Sequence, residues 1–191
     1  PVIDVRVFKS RDSVGVRGIR LVGNDELIAM SIVRHAEFDS DTRDRYLRWS
    51  NARRRAEGEG ESSADPLPSA PEQADEMAAA EQFVLSITEN GYGKRTSAYE
   101  YRVTGRGGQG IINIEASDRN GPVVASAPVE EDHHIMLVTD TGRLIRTPVH
   151  DIRIAGRNTQ GVTLFDVEPN ERVVSVAWLS EQNDGEDADD D

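Results

Sequence analysis

The chain contains no cysteine. That excludes a disulfide frame, a thiol nucleophile and a thiolate metal site, and it fits a reducing, cytoplasmic setting. No run approaches the ~18 consecutive apolar residues of a membrane helix, and no signal peptide opens the sequence. An initiator methionine is also missing. The sequence starts "PVIDVRVFKS" and reads as a piece of a longer protein. Its 191 residues leave room for one or two ordinary domains.

Basic residues are short as well, 22 against 35 acidic, for a net charge of −13. Such a balance disfavours nucleic acid as a partner until it is divided along the chain. Residues 1–35 hold six basic and four acidic side chains, residues 36–82 six and twelve, residues 83–180 ten and twelve, and residues 181–191 none and seven. The acidity therefore sits in the second and fourth segments. The first and third together are balanced, sixteen against sixteen, so their arginines are free to gather on one face.

What the chain does have is a repeat. Residues 84–111 align with 135–162 at an offset of 51 with no gap. Gly91 meets Gly142, Arg95-Thr96 meets Arg146-Thr147, Arg102 meets Arg153, Gly105-Arg106 meets Gly156-Arg157, and Gln109-Gly110 meets Gln160-Gly161. "RDSVG", ending at Gly15, is a looser third copy, 95 residues before Gly110. The 44 residues beyond one period fall in the insertion 36–82, rich in Glu, Ser, Ala and Pro. Its composition predicts a mobile loop with at most a short helix, capped by Ser40 or Asp41, with Tyr46 and Trp49 on one face. The tail 181–191 is a charge run and is expected to be disordered.

Each repeat reads as β structure. "FVLSITENGYGKRT" and "IMLVTDTGRLIRT" are hairpins with glycine at the turn. Further strands are expected at "GIINIEA", "VVASAPV", "GVTLFDV" and "VVSVAWL". Short strands and glycine turns at a fixed period predict an all-β, propeller-like fold of four-stranded blades, incomplete here, with blades in residues 1–35 and 83–180.

At this point the residues resemble a family. "VGVRGIRL", "ITENGYGKRT" and "GRNTQGV" are similar to the C-terminal domain of DNA gyrase A, and the acidic C-terminus looks like that family's tail. The resemblance implies a six-bladed β-pinwheel whose neighbouring blades exchange strands and whose basic rim bends and wraps double-stranded DNA. It implies a non-catalytic part of an ATP-dependent type II topoisomerase that introduces negative supercoils. The partners implied are the rest of gyrase A, and gyrase B, in an A2B2 assembly in the bacterial cytoplasm, at the nucleoid, with no membrane. ATP and Mg2+ would bind elsewhere in the holoenzyme, so no cofactor, metal or catalytic residue is assigned to this chain. Two departures stand out. The family's Gln-Arg-Arg-Gly-Gly-Arg-Gly box is absent, and the acidic insertion is not part of the common pattern. The alternatives are the matching domain of topoisomerase IV and a propeller-type protein-interaction platform.

Holding DNA without reading its sequence requires cations along a curved surface. Arginine suits this role because its planar fork bonds phosphate bidentately. The expected DNA ligands are Lys94, Arg95, Arg102 and Arg106 in one repeat and Arg143, Arg146, Arg153 and Arg157 in the next. Arg11, Arg17 and Arg20 extend the series upstream. Each has a second reading, as a brace that bonds a turn carbonyl or a carboxylate such as Asp151 or Glu100. For Arg106 and Arg157 both readings stay open; Lys94, Arg95, Arg143 and Arg146 are assigned to DNA. The run "EEDHH" lacks the spacing of a closed metal site. Asp140 is expected to bond its own turn, and Phe165 and Trp178 are expected in the core. The tail reads either as a solubilising segment or as a competitor for the basic rim.

Overall fold

The computed structural model describes residues 1–58 and 67–180. Its centre is two antiparallel sheets packed face to face. The first has strand order β3-β1-β2-β6, from β1 (Phe83–Thr88), β2 (Tyr92–Ser97), β3 (Val123–Val129) and β6 (Val162–Thr163). The second has order β5-β4-β7, from β4 (His134–Thr139), β5 (Leu144–Pro148) and β7 (Val173–Leu179).

Both hairpins form where the repeat predicts them. In the first, Phe83 pairs with Ser97 and Ile87 with Gly93. In the second, His134 pairs with Pro148 and Val138 with Leu144. Their turns place Gly91 at φ +77° and Gly142 at φ +85°, in the left-handed region that glycine enters without steric cost. The 51-residue register extends to detail. The β1–β3 register shifts at Ile87/Thr88, where Val124 of β3 is the extra residue, and the β4–β7 register shifts at Val138/Thr139, where Val174 of β7 is. A single 3-10 turn follows each hairpin, at Ala98–Glu100 and Val149–Asp151. A third such turn, Val2–Asp4, marks the upstream copy.

Strand exchange joins the sheets. β6 belongs to the second repeat but pairs with β2 of the first, Tyr92 with Thr163 and Gly93 with Val162. Strand side chains alternate between faces. On β1, Leu85 and Ile87 face the second sheet and meet Ile135, Leu137, Val149, Ile152, Phe165 and Val173 in a buried core. Ser86 points the other way, into a polar cluster with Ser126 and Asn113, and Tyr101 bonds Asn113.

Five expectations about strands and side chains need correction. "GIINIEA" forms no strand, and of "GVTLFDV" only Val162 and Thr163 do. Residues 1–35 form no strand and are exposed throughout. "LIAMSIV" holds the repeat position of β3 and β7, which pair with the first strand of a hairpin, and residues 1–35 contain no counterpart of that hairpin. Trp178 lies on β7 at the sheet edge and is 38% exposed, whereas Phe165 is in the core. Asp140 does not cap its own turn; its carboxylate accepts the Arg172 N–H across to the neighbouring turn.

The insertion is more ordered than its composition predicts. It contains α1 (Ser40–Gly58) and α2 (Ala74–Ala80). The cap of α1 is Asp39, whose carboxylate accepts the Thr42 N–H at 2.8 Å and the Thr42 hydroxyl at 2.9 Å. Tyr46, Met77 and Tyr99 are buried together, with Phe38 and Trp49 against them. Tyr99 is the post. It sits in the 3-10 turn after the first hairpin, and its hydroxyl donates to the Met77 carbonyl at 2.9 Å. Part of the insertion, 59–66, and the acidic tail, 181–191, lie outside the described residues.

Candidate nucleic-acid interface

The cations of the first hairpin strand do not face solvent. Lys94 is fully buried. Its Nζ donates to the carbonyls of Gly156 at 2.5 Å and Arg157 at 2.7 Å, and to the Thr159 hydroxyl at 3.2 Å. Burial pushes its pKa down to about 8, with Glu100 opposing and Arg157 adding to the fall. Arg95, the next residue, points to the other face and is also enclosed. Its Nε donates to Ile152 O at 2.7 Å, one terminal nitrogen to His150 O at 3.1 Å, and the other to Glu131. The backbone repeats the lock: Arg95 N donates to Arg153 O, and Ala155 N to Arg95 O. Every carbonyl in this set that accepts from Lys94 or Arg95 belongs to the second repeat. The expectation that Lys94 and Arg95 bind DNA is therefore corrected: both have their donors directed into the junction between blades.

Arg146, the repeat partner of Arg95, is exposed on edge strand β5. The same residue type at the same repeat position is buried once and exposed once, because residues 150–155 of the second repeat cover Arg95.

Arg143 is half exposed but its charge is neutralised. It pairs with Glu171 at 2.5 Å and lies 5.0 Å from the centre of the Phe165 ring. Glu171 is buried. It accepts from the Glu168 N–H, the Thr139 and Thr141 hydroxyls and Arg143. These bonds, the Glu168 N–H foremost, hold its pKa down at about 2, with burial acting the opposite way. Arg143 thus also fills the second reading given to it, a brace of the hairpin tip, with its side chain 45% exposed. A pH dependence follows. The folded pKa lies below the ordinary 4.5, so Glu171 contributes stability above that value and loses it as pH falls toward 2. Glu171→Gln is expected to be destabilising at pH 7, with its difference from wild type shrinking through that acid window. Thermal melts of both proteins across pH would check this.

Three other expected ligands are brought together. Residues 17–20 run beside the loop 105–110: Gly107 N donates to Gly18 O and Arg20 N to Gly108 O, both at 2.8 Å. This pairing of the upstream copy with the "GRGGQG" loop sets Arg17, Arg20 and Arg106 side by side on an exposed surface. Arg11 is exposed on the same upstream segment. Arg102 is exposed four residues before Arg106, and Arg153 is exposed while its carbonyl serves the Arg95 lock. Arg157 has both features. Its backbone N–H donates to Glu100 at 2.8 Å and its guanidinium to Ile112 O at 2.6 Å, yet it also lines an open groove with Arg102 and Arg43.

Arg43 and Arg119 escaped the sequence reading. Arg119 lies 4.9 Å from the centre of the Tyr92 ring at the first hairpin tip, and its hydrogen bond is the main cause of a lowered Tyr92 pKa. Neither arginine recurs at the 51-residue offset, so a search by period passes over both. In "EEDHH", His133 closes a turn, its Nδ1 accepting the Glu130 N–H.

The sequence is similar to those of known proteins. A family model described as the DNA gyrase C-terminal domain, beta-propeller, matches residues 4–34, 82–130 and 133–177. The DNA gyrase A protein of Granulibacter bethesdensis is 46% identical over 204 residues, covering 97% of this chain and 22% of that protein. The DNA gyrase A protein of Rickettsia bellii is 44% identical over 192 residues, covering 99% and 21%. The chain thus spans about a fifth of the length of these relatives. A solved DNA gyrase A C-terminal domain is 28% identical, with a TM-score of 0.49 over 52% of this chain and 34% of that one.

Proposed function

The chain belongs to the DNA gyrase C-terminal domain family, and on that footing we propose that it binds double-stranded DNA without reading sequence, and bends and wraps it. In this reading the chain cuts no bond. It serves a type II topoisomerase assembled from two copies each of gyrase A and gyrase B, and it directs ATP-dependent strand passage toward negative supercoils. ATP and Mg2+ act elsewhere in that assembly.

The observation that carries the reading is the convergence of Arg17, Arg20 and Arg106 on one paired loop, exposed and framed by glycines. Glycine beside a guanidinium lets a phosphate approach the backbone N–H groups as well as the side chain. The net charge of −13 does not oppose this, because the acidic excess lies in 36–82 and 181–191.

Duplex binding measured against salt tests the proposal. The logarithm of affinity is expected to fall linearly with the logarithm of salt, by about 0.9 per phosphate neutralised. A flat response would exclude DNA and favour a protein-interaction platform.

A further inference from the structure

We infer that the helical insertion is a built part of the DNA-contacting surface, where Arg43 of α1, Arg102 and Arg157 together seat one backbone phosphate. This rests on the DNA reading above and adds to it a site on the acidic insertion.

The groove between α1 and the first blade has a volume of about 390 Å3. Arg43 reaches it from the insertion, Arg102 from the first repeat and Arg157 from the second. Among the described residues none of the three forms an ion pair. Arg43 makes only a 3.4 Å bond to the Asp39 carbonyl of its own helix. Arg157 uses one terminal nitrogen on Ile112 O, and its buried Nε has no partner. Two carboxylates line the groove, Asp44 and Glu100. Glu100 is engaged by the Arg157 backbone N–H at 2.8 Å. Three guanidiniums against two carboxylates leave a net positive seat with planar donors, the chemistry that favours a phosphate oxyanion.

The seat is fixed in place. Tyr46 and Met77 hold the insertion on Tyr99, and Tyr99 itself lines the groove. It also adjoins the exposed loop. Arg102 and Arg106 are four residues apart, so their backbones are within about 14 Å, about four base-pair rises along one strand. A duplex on Arg17, Arg20 and Arg106 therefore passes within reach of the groove. That continuity favours a backbone phosphate over a free anion.

The test is a salt titration of duplex binding by the complete polypeptide that carries these residues. Arg43→Gln is expected to reduce the slope by about 0.9, so that it loses about threefold less affinity than wild type between about 50 and about 200 mM salt. Arg43→Lys, which keeps the charge, should hold the wild-type slope. If Arg43→Gln unfolds α1, Arg102→Gln at its exposed position should give the same loss. A wild-type slope in Arg43→Gln and Arg102→Gln, with duplex binding intact, overturns the inference and leaves the DNA reading standing. Saturable binding of inorganic phosphate that Arg43→Gln removes, with the duplex slope unchanged, overturns it in favour of a free-anion site. A flat wild-type response removes the DNA reading itself.

Discussion

Lys94→Ala is expected to loosen the joint between the blades and lower stability by about 3–5 kcal/mol. It removes the apolar stem from a fully buried position and strips the donor from the Gly156 and Arg157 carbonyls. Lys94→Met separates the two effects. It refills the volume, leaves the carbonyls without their donor and relieves the buried charge, for a smaller loss of about 1–3 kcal/mol. The charge has its own signature. Because the folded pKa lies near 8 against an ordinary 10.5, the unfolded chain holds the extra proton between those values. Wild-type stability should therefore rise relative to Lys94→Met as pH climbs through that window. Denaturant unfolding at pH 7 and pH 10 would check both claims. Equal stability of Lys94→Ala and wild type would mean that the ammonium does not hold the junction.

Gly91→Ala and Gly142→Ala should differ sharply although they change the same loop position. Both residues have positive φ, which costs an alanine about 1–2 kcal/mol. At Gly142 a Cβ would meet nothing within 4 Å, so the loss should stop there. At Gly91 it would stand 2.0 Å from the Phe165 carbonyl oxygen, a backbone atom that cannot swing aside. The Gly91 carbonyl also accepts the Leu164 and Phe165 N–H groups at 2.8 and 3.1 Å. Moving the second repeat away would break both bonds and raise the loss to about 3–5 kcal/mol. Comparing the two alanine variants by thermal unfolding reads strand exchange directly. Equal losses would indicate that the second repeat does not press on the first hairpin.

Much of the architecture was legible in the sequence because a repeat constrains it. The 51-residue offset located both hairpins and their glycine turns, and the apolar runs "VVASAPV" and "VVSVAWL" marked β3 and β7. It did not reveal which face of each hairpin another segment covers. Arg95 and Arg146 are equivalent by period, yet carbonyls of residues 150 and 152 enclose the first alone. Likewise Lys94 is buried by carbonyls more than sixty residues away. The exchanged strand was hard to read because only Val162 and Thr163 pair. The insertion misled by its average composition. Tyr46 and Met77 suffice to anchor it on Tyr99, and an average over 36–82 dilutes them. Arg106 kept two readings open in the sequence. Its exposure beside Arg17 and Arg20 favours the phosphate role, whereas Arg157 combines brace and groove.

The division of labour among the cations is the central claim: the loop arginines Arg17, Arg20 and Arg106 hold DNA, and the buried strand cations Lys94 and Arg95 hold the blades together. Its most direct test is the salt slope of duplex binding for two folded variants beside wild type. Replacing Arg17, Arg20 and Arg106 together by glutamine should flatten the slope by as much as about 2.7, or about 0.9 for each phosphate no longer neutralised. Arg95→Gln should leave the slope unchanged. A triple variant with the wild-type slope, or a folded Arg95→Gln with a flattened one, would contradict the assignment.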